Sequence, residues 1–318
     1  MKAPRIGVVG ARRARQGLGP FVVRDLVCAG AEVRSFVATS EETRVAGAQE
    51  LLRVAGVEAR GYLSLPEMLA GEELDALAIL SPAGTHEAYL EAALAAGLHV
   101  LCEKPFLWLR SHLAERAAEL VTGFSARGLL LFENCQWPYT LAAYRRLHPG
   151  ALERAPARFE MRMQPASGGV EMLGDSAPHA LSLLQAAVPG SGAALEAVRF
   201  DGDPAAGPLA IEFRFRTDAS DTGVRLDLRP TRAHPREAAY AFDGRWAERS
   251  VEPESYALAF ADGPRRVPVP DPMAALLTDF SDALRRPERG PDPQRGAAIA
   301  ERMGLLEALV LAFRARFG

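Results

Sequence analysis

The sequence contains few cysteines, no long apolar run and almost no excess charge. Its three cysteines, Cys28, Cys102 and Cys135, lie far apart, and none belongs to a C-x-x-C pair. We therefore predict neither a disulfide framework nor a bound metal, and a reducing cytoplasm fits this pattern best. No apolar run approaches the ~20 residues of a membrane span, and the chain starts without the apolar core of a signal peptide. The formal net charge of −3 argues against a nucleic-acid partner.

The first part of the chain alternates apolar strand segments with helices. Strands are predicted at residues 5–10, 31–39, 74–80, 99–102 and 129–135, with helices between them. Continuous apolar strands separated by helices indicate a parallel sheet that is covered on both faces. We predict a doubly wound Rossmann α/β domain over residues 1–125, whose ligands lie beyond the carboxyl ends of the strands. Those ends are Gly10, Thr39, Ser81 and Glu103.

Two helix starts in this part follow local capping signals. The pair Gly19-Pro20 suits a helix start, because proline is tolerated at the first helical position. Thr39 and Glu42 have the spacing of a capping box, which predicts a helix that runs from there to about Ala55.

After about residue 150, apolar and polar residues alternate with period two. The alternating segments are ARFEMRMQP, ALEAVRFD, PLAIEFRF, GVRLDLRP, EAAYAFDG, RWAERSVE and SYALAFA. Such alternation predicts antiparallel strands with one buried face. We predict a second domain over residues 126–318, an open and mainly antiparallel sheet with helices at about 176–188, 272–285 and 293–316. The last two helices are expected to pack back on the first domain, and the polar sheet face is expected to dock further subunits in a homo-oligomer, a dimer or tetramer.

The segment GVVGARRARQGLGP departs from the dinucleotide-binding fingerprint G-x-G-x-x-G. Gly10 occupies the first glycine position, but Arg12 and Arg15 occupy the second and third, and glycine returns only at residues 17 and 19. Side chains at these positions block the usual close approach of the backbone to a pyrophosphate. We predict a rebuilt, longer loop that starts at Gly10 and in which Gly17 and Gly19 take over near the helix entry. Arg12, Arg13 and Arg15 then surround its mouth and bind phosphate through charge-assisted hydrogen bonds. The alternative is a solvated basic loop.

The stretch LSPAGTHEAYLEAALAAGLHVLCEKPF, residues 80–106, is the most informative in the chain. One strand ends in Ser81-Pro82, His86 follows, and after an amphipathic helix another strand ends in Glu103-Lys104-Pro105. This arrangement resembles the Gfo/Idh/MocA oxidoreductase family, and the likeness extends through the predicted two-domain organisation. The resemblance implies an NAD(P)-dependent oxidoreductase. The cofactor contacts that it implies are Ser81, Pro82, His86, Glu103 and Lys104, with His86 organising a loop near the ribose.

A second motif of that family is matched by GGVEMLGDSAPHALSLL, residues 168–184, where Asp175 and His179 form a D-x-x-x-H pair. Residues four apart share one face of a helix. Because Pro178 is tolerated in a first turn, we predict that both side chains project from the N-terminus of a helix that begins near residue 176. The helix end favours a neutral imidazole and Asp175 favours imidazolium, so His179 is predicted to be poised near neutrality. Ser182 replaces an acidic or amide residue that the family often has there.

The resemblance also implies the roles of these groups. His179 removes the proton of a substrate hydroxyl, Lys104 hydrogen-bonds the same oxygen, and Asp175 orients both groups and balances their charge. In the reductive direction the same groups donate the proton. This hypothesis expects Lys104 and His179 to converge over one nicotinamide carbon. The alternatives are that Lys104 is a surface lysine at a turn and that His179 is a structural histidine.

The end of the second predicted strand bears on the type of cofactor. An NAD site usually places Asp or Glu there, whereas this chain has Thr39 and Ser40, with Arg44 one helical turn later. Small hydroxyl residues beside an arginine suit a 2′-phosphate, so NADP is favoured over NAD. Glu41 or Glu42 could still bind a ribose, which leaves NAD open.

Substrate contacts are predicted after the first domain. Gln136 offers a hydrogen-bond donor and an acceptor, and Trp137 and Tyr139 offer flat faces for the C–H groups of a sugar. Arg162, on the first strand of the second domain, is a weaker candidate. The alternative for the rings is that they fill an interface between the domains. We predict a small-molecule substrate, which is a sugar, a cyclitol or a related hydroxylated metabolite.

Two other functions remain open at this point. The first is a catalytically silent ligand-binding or regulatory protein on the same scaffold. Arg12 and Arg15 favour it, whereas Lys104, Asp175 and His179 oppose it. The second is a redox-neutral enzyme that hydrolyses glycosides through transient oxidation on a tightly held NAD.

Overall fold

The computed structural model describes residues 2–12, 18–108, 111–204, 207–252 and 257–318. The chain divides into two compact units. The first unit consists of Met1–Arg110, Glu115–Asn134 and Met273–Ala300, and the second of Ser111–Ala114, Cys135–Pro272 and Glu301–Gly318. Both units are discontinuous in sequence, whereas the sequence prediction places a single boundary after residue 125.

The first unit contains a parallel sheet in the order β3-β2-β1-β4-β5-β6. Its strands are β1 (Arg5–Val9), β2 (Glu32–Val37), β3 (Arg60–Tyr62), β4 (Ala76–Ile79), β5 (His99–Cys102) and β6 (Leu131–Glu133). Every strand pair in this sheet is parallel. The order reverses between β1 and β4, and ligands of such sheets bind beyond the carboxyl ends at this reversal. The predicted doubly wound sheet is confirmed.

Helices connect these strands. They are α1 (Gly19–Cys28), α2 (Glu41–Ala55), α3 (Leu65–Gly71), α4 (His86–Ala96) and α5 (Leu113–Ala126). The capping box predicted for α2 is wrong by one residue, because Ser40 has an extended backbone and the helix begins at Glu41. Ser40 Oγ accepts the N–H of Thr43 at 3.2 Å, and Thr43 Oγ1 accepts the N–H of Ser40 at 2.9 Å. A threonine therefore fills the place that the prediction gave to Glu42.

The second unit contains a sheet in the order β14-β13-β12-β11-β7-β10-β9-β8. Its strands are β7 (Arg158–Met163), β8 (Ala194–Gly202), β9 (Leu209–Arg216), β10 (Asp221–Leu228), β11 (Ala238–Phe242), β12 (Arg245–Val251), β13 (Leu258–Asp262) and β14 (Arg265–Val269). The β7–β10 pair is parallel and the other pairs are antiparallel. The predicted, mainly antiparallel sheet is confirmed. Alternate residues such as Phe159, Met161 and Tyr240 are buried on its inner face.

The remaining helices are α6 (Leu141–Leu147), α7 (Glu171–Ala187), α8 (Pro272–Leu284) and α9 (Pro293–Phe317). The predicted start of α7 near residue 176 is wrong, since the helix begins at Glu171 and carries Pro178 in its interior. Pro178 has no N–H to offer the carbonyl of Gly174, which normally ends or kinks a helix. Burial of Leu173, Ala177 and Leu181 keeps this segment helical, because tertiary packing outweighs local preference.

Three elements lack a clear sequence signal. β3 has only three residues, and α6 lies in a segment that the sequence suggested to be a strand and a loop. β14 contains Pro268 and lies at the edge of its sheet, which is where a strand tolerates proline. Within the ranges given above, no helix is long and apolar enough to cross a membrane.

Candidate active site

Two glycines shape the turn after β1. Gly10 has φ of +85°, and a Cβ added there would lie 2.5 Å from the carbonyl carbon of Leu80. A Cβ on Gly19 would lie 2.4 Å from the carbonyl oxygen of Gly10. The turn therefore folds tightly on itself even without the usual second and third glycines. Arg12 is exposed beside it, while the predicted contacts Arg13 and Gly17 lie outside the described residues.

The N-terminus of α1 follows this turn and suits an anion. Leu18 makes no side-chain cap to the helix, and the described first turn carries no acidic residue. Pro20 has no N–H, and the N–H groups of Phe21 and Val22 both donate to the carbonyl oxygen of Leu18 at 3.0 Å. The helix therefore offers a phosphate chiefly the positive end of its dipole. With the close turn at Gly10, this end of the helix fits a dinucleotide pyrophosphate.

The end of β2 holds Thr39, Ser40 and the nearby Arg44. Ser40 is engaged as the cap of α2, and the Thr39 N–H donates to Thr43 Oγ1 at 3.2 Å. The Arg44 guanidinium forms an ion pair with Glu41 at 2.6 Å. A bound 2′-phosphate would have to compete with Glu41 for Arg44, so the preference for NADP stays a prediction.

His86 links the ends of two strands. It is fully buried, with Nε2 2.9 Å from the carbonyl oxygen of Ser81 and Nδ1 3.0 Å from that of Pro105. Thr85 Oγ1 also donates to the carbonyl oxygen of Pro82 at 2.8 Å. Both ring nitrogens of His86 thus face the chain itself, which supports its interpretation as an organiser of these two loops.

The Glu103-Lys104-Pro105 turn at the end of β5 is held by the carboxylates of the half-buried Glu103 and the buried Glu133. Glu103 accepts the N–H of Lys104 at 2.6 Å and the side-chain N–H of Asn134 at 2.9 Å. Burial raises the pKa of the Glu103 carboxyl above its ordinary value, and the charge of Lys104 opposes part of that rise. Glu133 accepts the N–H of Phe106 at 2.9 Å. These bonds fix the backbone from which the half-buried Lys104 side chain extends.

Lys104 carries a further signal that the sequence reasoning missed. The chain has 37 lysines and arginines, and Lys2 and Lys104 are the only lysines among them. A lysine presents a compact, rotatable ammonium, whereas arginine presents a planar fork, so the two are not interchangeable at a reacting group. A lysine at the end of β5 in so arginine-rich a chain indicates a specific need for an ammonium.

In the second unit, Asp175 and His179 lie four residues apart on α7, as predicted, and both are half-buried. The Ser167 hydroxyl donates a short hydrogen bond to Asp175 Oδ2, a contact that the sequence reasoning missed. The predicted location of the pair at a helix N-terminus is wrong, because α7 begins at Glu171. The influence of a helix dipole falls off within the first turn. The helix dipole therefore gives no support to the prediction that His179 titrates near neutrality.

Trp137 lies beside His179. The two ring centroids are 6.1 Å apart, and the Trp137 ring also meets the Tyr240 ring edge-on at 5.9 Å. Trp137 is only 7% exposed, so much of it fills the core of the second unit. Its neighbour Gln136 has a buried Oε1 with no hydrogen-bond partner among the described residues, and Tyr139 is half-buried in the same short turn.

Arg162 does not join this group. Strand alternation places Phe159 and Met161 on the inner face of the sheet and Arg162 on the outer face. Its guanidinium carbon lies 3.9 Å from the centre of the Trp246 ring. The prediction that Arg162 shares a substrate site with Trp137 is therefore not supported by the placement of its side chain.

A different arginine, which the sequence reasoning missed, lies on the inner face. The guanidinium carbon of Arg249 is 6.0 Å from the centre of the Trp137 ring. Alternation in RWAERSVE predicted a strand there, but nothing in the sequence separates Arg249 from the exposed Arg245 of the same strand. Within the described part of the chain, no group of three or more His, Cys, Asp or Glu is placed to hold a metal ion.

These features define a protein with a Rossmann-type parallel sheet and an open, mainly antiparallel sheet. Residues 4–134 match the family described as an oxidoreductase family with an NAD-binding Rossmann fold. This region is similar to the Gfo/Idh/MocA oxidoreductase family, in agreement with the resemblance that its motifs carry.

Named relatives share parts of the chain or its fold. The D-apiose dehydrogenase of Paraburkholderia graminis is 35% identical over 127 residues, which are 39% of this chain and 31% of that protein. A UDP-N-acetylglucosamine 3-dehydrogenase from Acidithiobacillus ferrooxidans has a TM-score of 0.69 at 24% identity, over 98% of this chain and 99% of its own. A 3-ketoreductase from Actinomadura kijaniata, solved with NADP and TDP-benzene, has a TM-score of 0.70 at 18% identity, with 97% of both chains covered.

The sequence matches and the structural matches cover different shares of the chain. The curated relatives are matched over 23% to 31% of their own length. The likeness to solved structures covers nearly the whole chain and shows the two-domain fold. The predicted fold class is therefore confirmed.

Proposed function

We propose that this protein is an NAD(P)-dependent oxidoreductase that transfers a hydride between a nicotinamide and a hydroxyl-bearing or keto carbon of a sugar, cyclitol or related molecule. The observation that carries this proposal is a lysine on a strand-end turn with a held backbone in one unit and an aspartate and a histidine four residues apart on one helix in the other. The strand-end turn holds Lys104 in the first unit, while α7 carries Asp175 and His179 in the second. The names of the relatives, which are sugar and cyclitol dehydrogenases and reductases, support it.

The residues at the carboxyl ends of β1, β2 and β4 fit a dinucleotide. Gly10 and the N-terminus of α1 would receive the pyrophosphate, with Arg12 beside them, and the Ser81-Pro82 turn would lie against the nucleoside. When bound, the nicotinamide supplies or accepts the hydride. We further propose that NADP is preferred, because Thr39 and Ser40 replace the acidic residue of an NAD site and Arg44 lies nearby.

The chain's own residues then handle the proton and the charge on oxygen. His179 takes the hydroxyl proton during oxidation and returns it during reduction. The Lys104 ammonium donates a hydrogen bond to the same oxygen and stabilises the negative charge that develops there. Asp175, held by Ser167, orients the imidazole. General acid–base help of this kind contributes roughly 10²- to 10⁴-fold to a rate.

A cytoplasmic location and a homo-oligomer, a dimer or tetramer, belong to the same proposal. The competing function is a catalytically silent ligand-binding protein on this scaffold. It is favoured by the arginines that replace the second and third fingerprint glycines and by the ion pair that occupies Arg44.

Titration of the protein with NADPH and with NADH, followed by nicotinamide fluorescence, tests the proposal. We expect micromolar binding of NADPH and weaker binding of NADH, because the acidic ribose ligand of an NAD site is missing at the end of β2. Failure of both cofactors to bind below millimolar concentration would support the silent scaffold instead. Tighter binding of NADH would leave the oxidoreductase standing and overturn the NADP preference.

A further inference from the structure

Arg249 points into the inner face of the second unit's sheet. It is on β12, where Ala247 on the same face is fully buried, and it pairs across the strands with the buried Phe260. Its guanidinium carbon lies 6.0 Å from the Trp137 ring centre, and the centroid of the His179 ring lies 6.1 Å from the same centre. Arg249 and the proposed proton-transfer residue His179 therefore border the same tryptophan.

The hydrogen-bonding capacity of Arg249 is mostly unused. One Nη2 donates to the carbonyl oxygen of Arg236 at 2.7 Å, while the buried Nε has no partner in the described part of the chain. No aspartate or glutamate of those ranges forms an ion pair with it. Arg225, on the outer face of the same sheet, shows the contrast, since it pairs with Glu212 at 2.7 Å and with Asp227 at 2.9 Å.

Arg249 is half-buried, and its buried Nε without a partner, together with the lack of an acidic partner among the described residues, is costly for a fold. Arginine stays protonated in proteins, so it cannot escape burial by losing its charge. Burial lowers the pKa of the Arg249 guanidinium from its ordinary value, which is the sign of this cost. The Trp137 ring at 6.0 Å compensates only weakly. A charge left in this condition would be stabilised by an anion that none of the described residues supplies.

A second unsatisfied group lies next to Trp137 in the sequence. The Oε1 of Gln136 is buried and accepts no hydrogen bond from the described residues. Buried polar atoms in native proteins are nearly always paired, and exceptions often mark ligand sites. Gln136 thus offers an acceptor for a hydroxyl, and Arg249 offers donors and positive charge for an anionic group.

We infer that Arg249 binds an anionic substituent, a carboxylate or a phosphoryl group, on the substrate of the oxidoreductase proposed above. The inference rests on that proposed function and narrows its substrate class to acidic or phosphorylated sugars and cyclitols. A carboxylate and a phosphoryl group are recognised by the same chemistry, because the guanidinium group binds either one through paired charge-assisted hydrogen bonds.

Calorimetric binding to the protein saturated with NADP⁺ tests the inference, with D-glucuronate, D-glucose 6-phosphate and D-glucose as probes. We expect at least one acidic probe to bind about 10- to 100-fold more tightly than glucose, the gain expected from a hydrogen-bonded charge. Stronger binding of glucuronate identifies the carboxylate, and stronger binding of the phosphate ester identifies the phosphoryl group. R249M should abolish the difference, whereas R225M, which removes a paired arginine from the outer face, should retain it.

Equal affinity of the wild-type protein for the acidic probes and glucose would overturn the inference, and so would a failure of both acidic probes to bind at millimolar concentration. A preference that survives in folded R249M would also overturn it. If circular dichroism shows that R249M is unfolded, the wild-type comparison still decides. If the wild-type protein fails to bind NADP⁺, that separate result counts against the proposed function and not against the role inferred for Arg249.

Discussion

The two units satisfy the polar groups of their proposed sites in different ways. In the first unit, Ser40 caps a helix, both nitrogens of His86 face backbone carbonyls, and Glu103 accepts the N–H of Lys104. In the second unit, Gln136 and Arg249 keep buried atoms that have no partner in the described ranges. In the first unit the side chains named here hold backbone groups, although Asn134 Oδ1, behind Glu103, is also buried without a partner among the described residues. In the second unit the unpaired atoms belong to the proposed substrate contacts themselves.

This difference matches two tasks. A dinucleotide is the same in every catalytic cycle, and a rigid backbone with a helix N-terminus receives it well. A substrate is distinguished by its own substituents, which are recognised by side-chain donors and acceptors of the protein. Before the substrate binds, those donors and acceptors lack hydrogen-bond partners. We therefore expect changes at the backbone turns of the first unit to affect folding and cofactor binding together. Changes at side chains that face the substrate, which include Lys104 of the first unit and those of the second unit, should affect the reaction with little effect on folding.

The largest effect on the free energy of unfolding is expected at the turn after β1. G10A places a Cβ 2.5 Å from the backbone of Leu80 at a φ of +85°, so we expect a loss of about 2 kcal/mol or more in the free energy of unfolding. NADPH binding should weaken in the same variant. Denaturant unfolding and NADPH titration measure both effects.

G84A is the matched control for G10A. A Cβ on Gly84 meets nothing within 4 Å, so its stability should stay within about 1 kcal/mol of the wild-type value. Equal effects of the two substitutions would contradict the close packing assigned to the turn.

A smaller effect is expected in the second unit from S167A. It removes the hydroxyl that donates to Asp175, so we expect kcat to fall about tenfold with KM nearly unchanged. The free energy of unfolding should change little. Steady-state kinetics with a sugar or cyclitol that the wild-type protein turns over measure kcat and KM, and thermal unfolding measures the change in stability.

S191A supplies the control for S167A, since the Ser191 hydroxyl donates to Asp218 at 2.8 Å in an exposed turn of the same unit. It removes a similar serine–aspartate bond and should leave kcat unchanged. A fall in kcat of the same size in both variants would show that Ser167 acts only through general stability.

Strand ends were the most predictable part of the molecule. The positions of Ser81 and Glu103 follow from apolar runs that stop at a polar residue, and the parallel order then brings such ends to one edge of the sheet. The start of α7 was not predictable in the same way, because Pro178 signals a helix start locally whereas burial of the surrounding apolar residues extends the helix to Glu171.

Site residues on the second sheet were harder to predict. Alternation tells which residues of one strand share a face, but it does not tell which face a helix covers. Arg162 and Arg249 have similar sequence surroundings, yet one stacks on Trp246 outside and the other approaches Trp137 inside. Which face of the sheet each arginine lies on depends on how distant strands pair, and the pattern of a single sequence does not reveal that pairing.

The central claim is that the ammonium of Lys104 acts on the substrate oxygen, and single-turnover hydride transfer in K104M tests it most directly. The exposed Lys2, the other lysine of the chain, provides the control variant K2M. We predict that K104M binds NADPH with nearly wild-type affinity while hydride transfer slows by roughly 10²- to 10⁴-fold, and that K2M behaves as wild type. Hydride transfer in K104M at the wild-type rate would contradict the account.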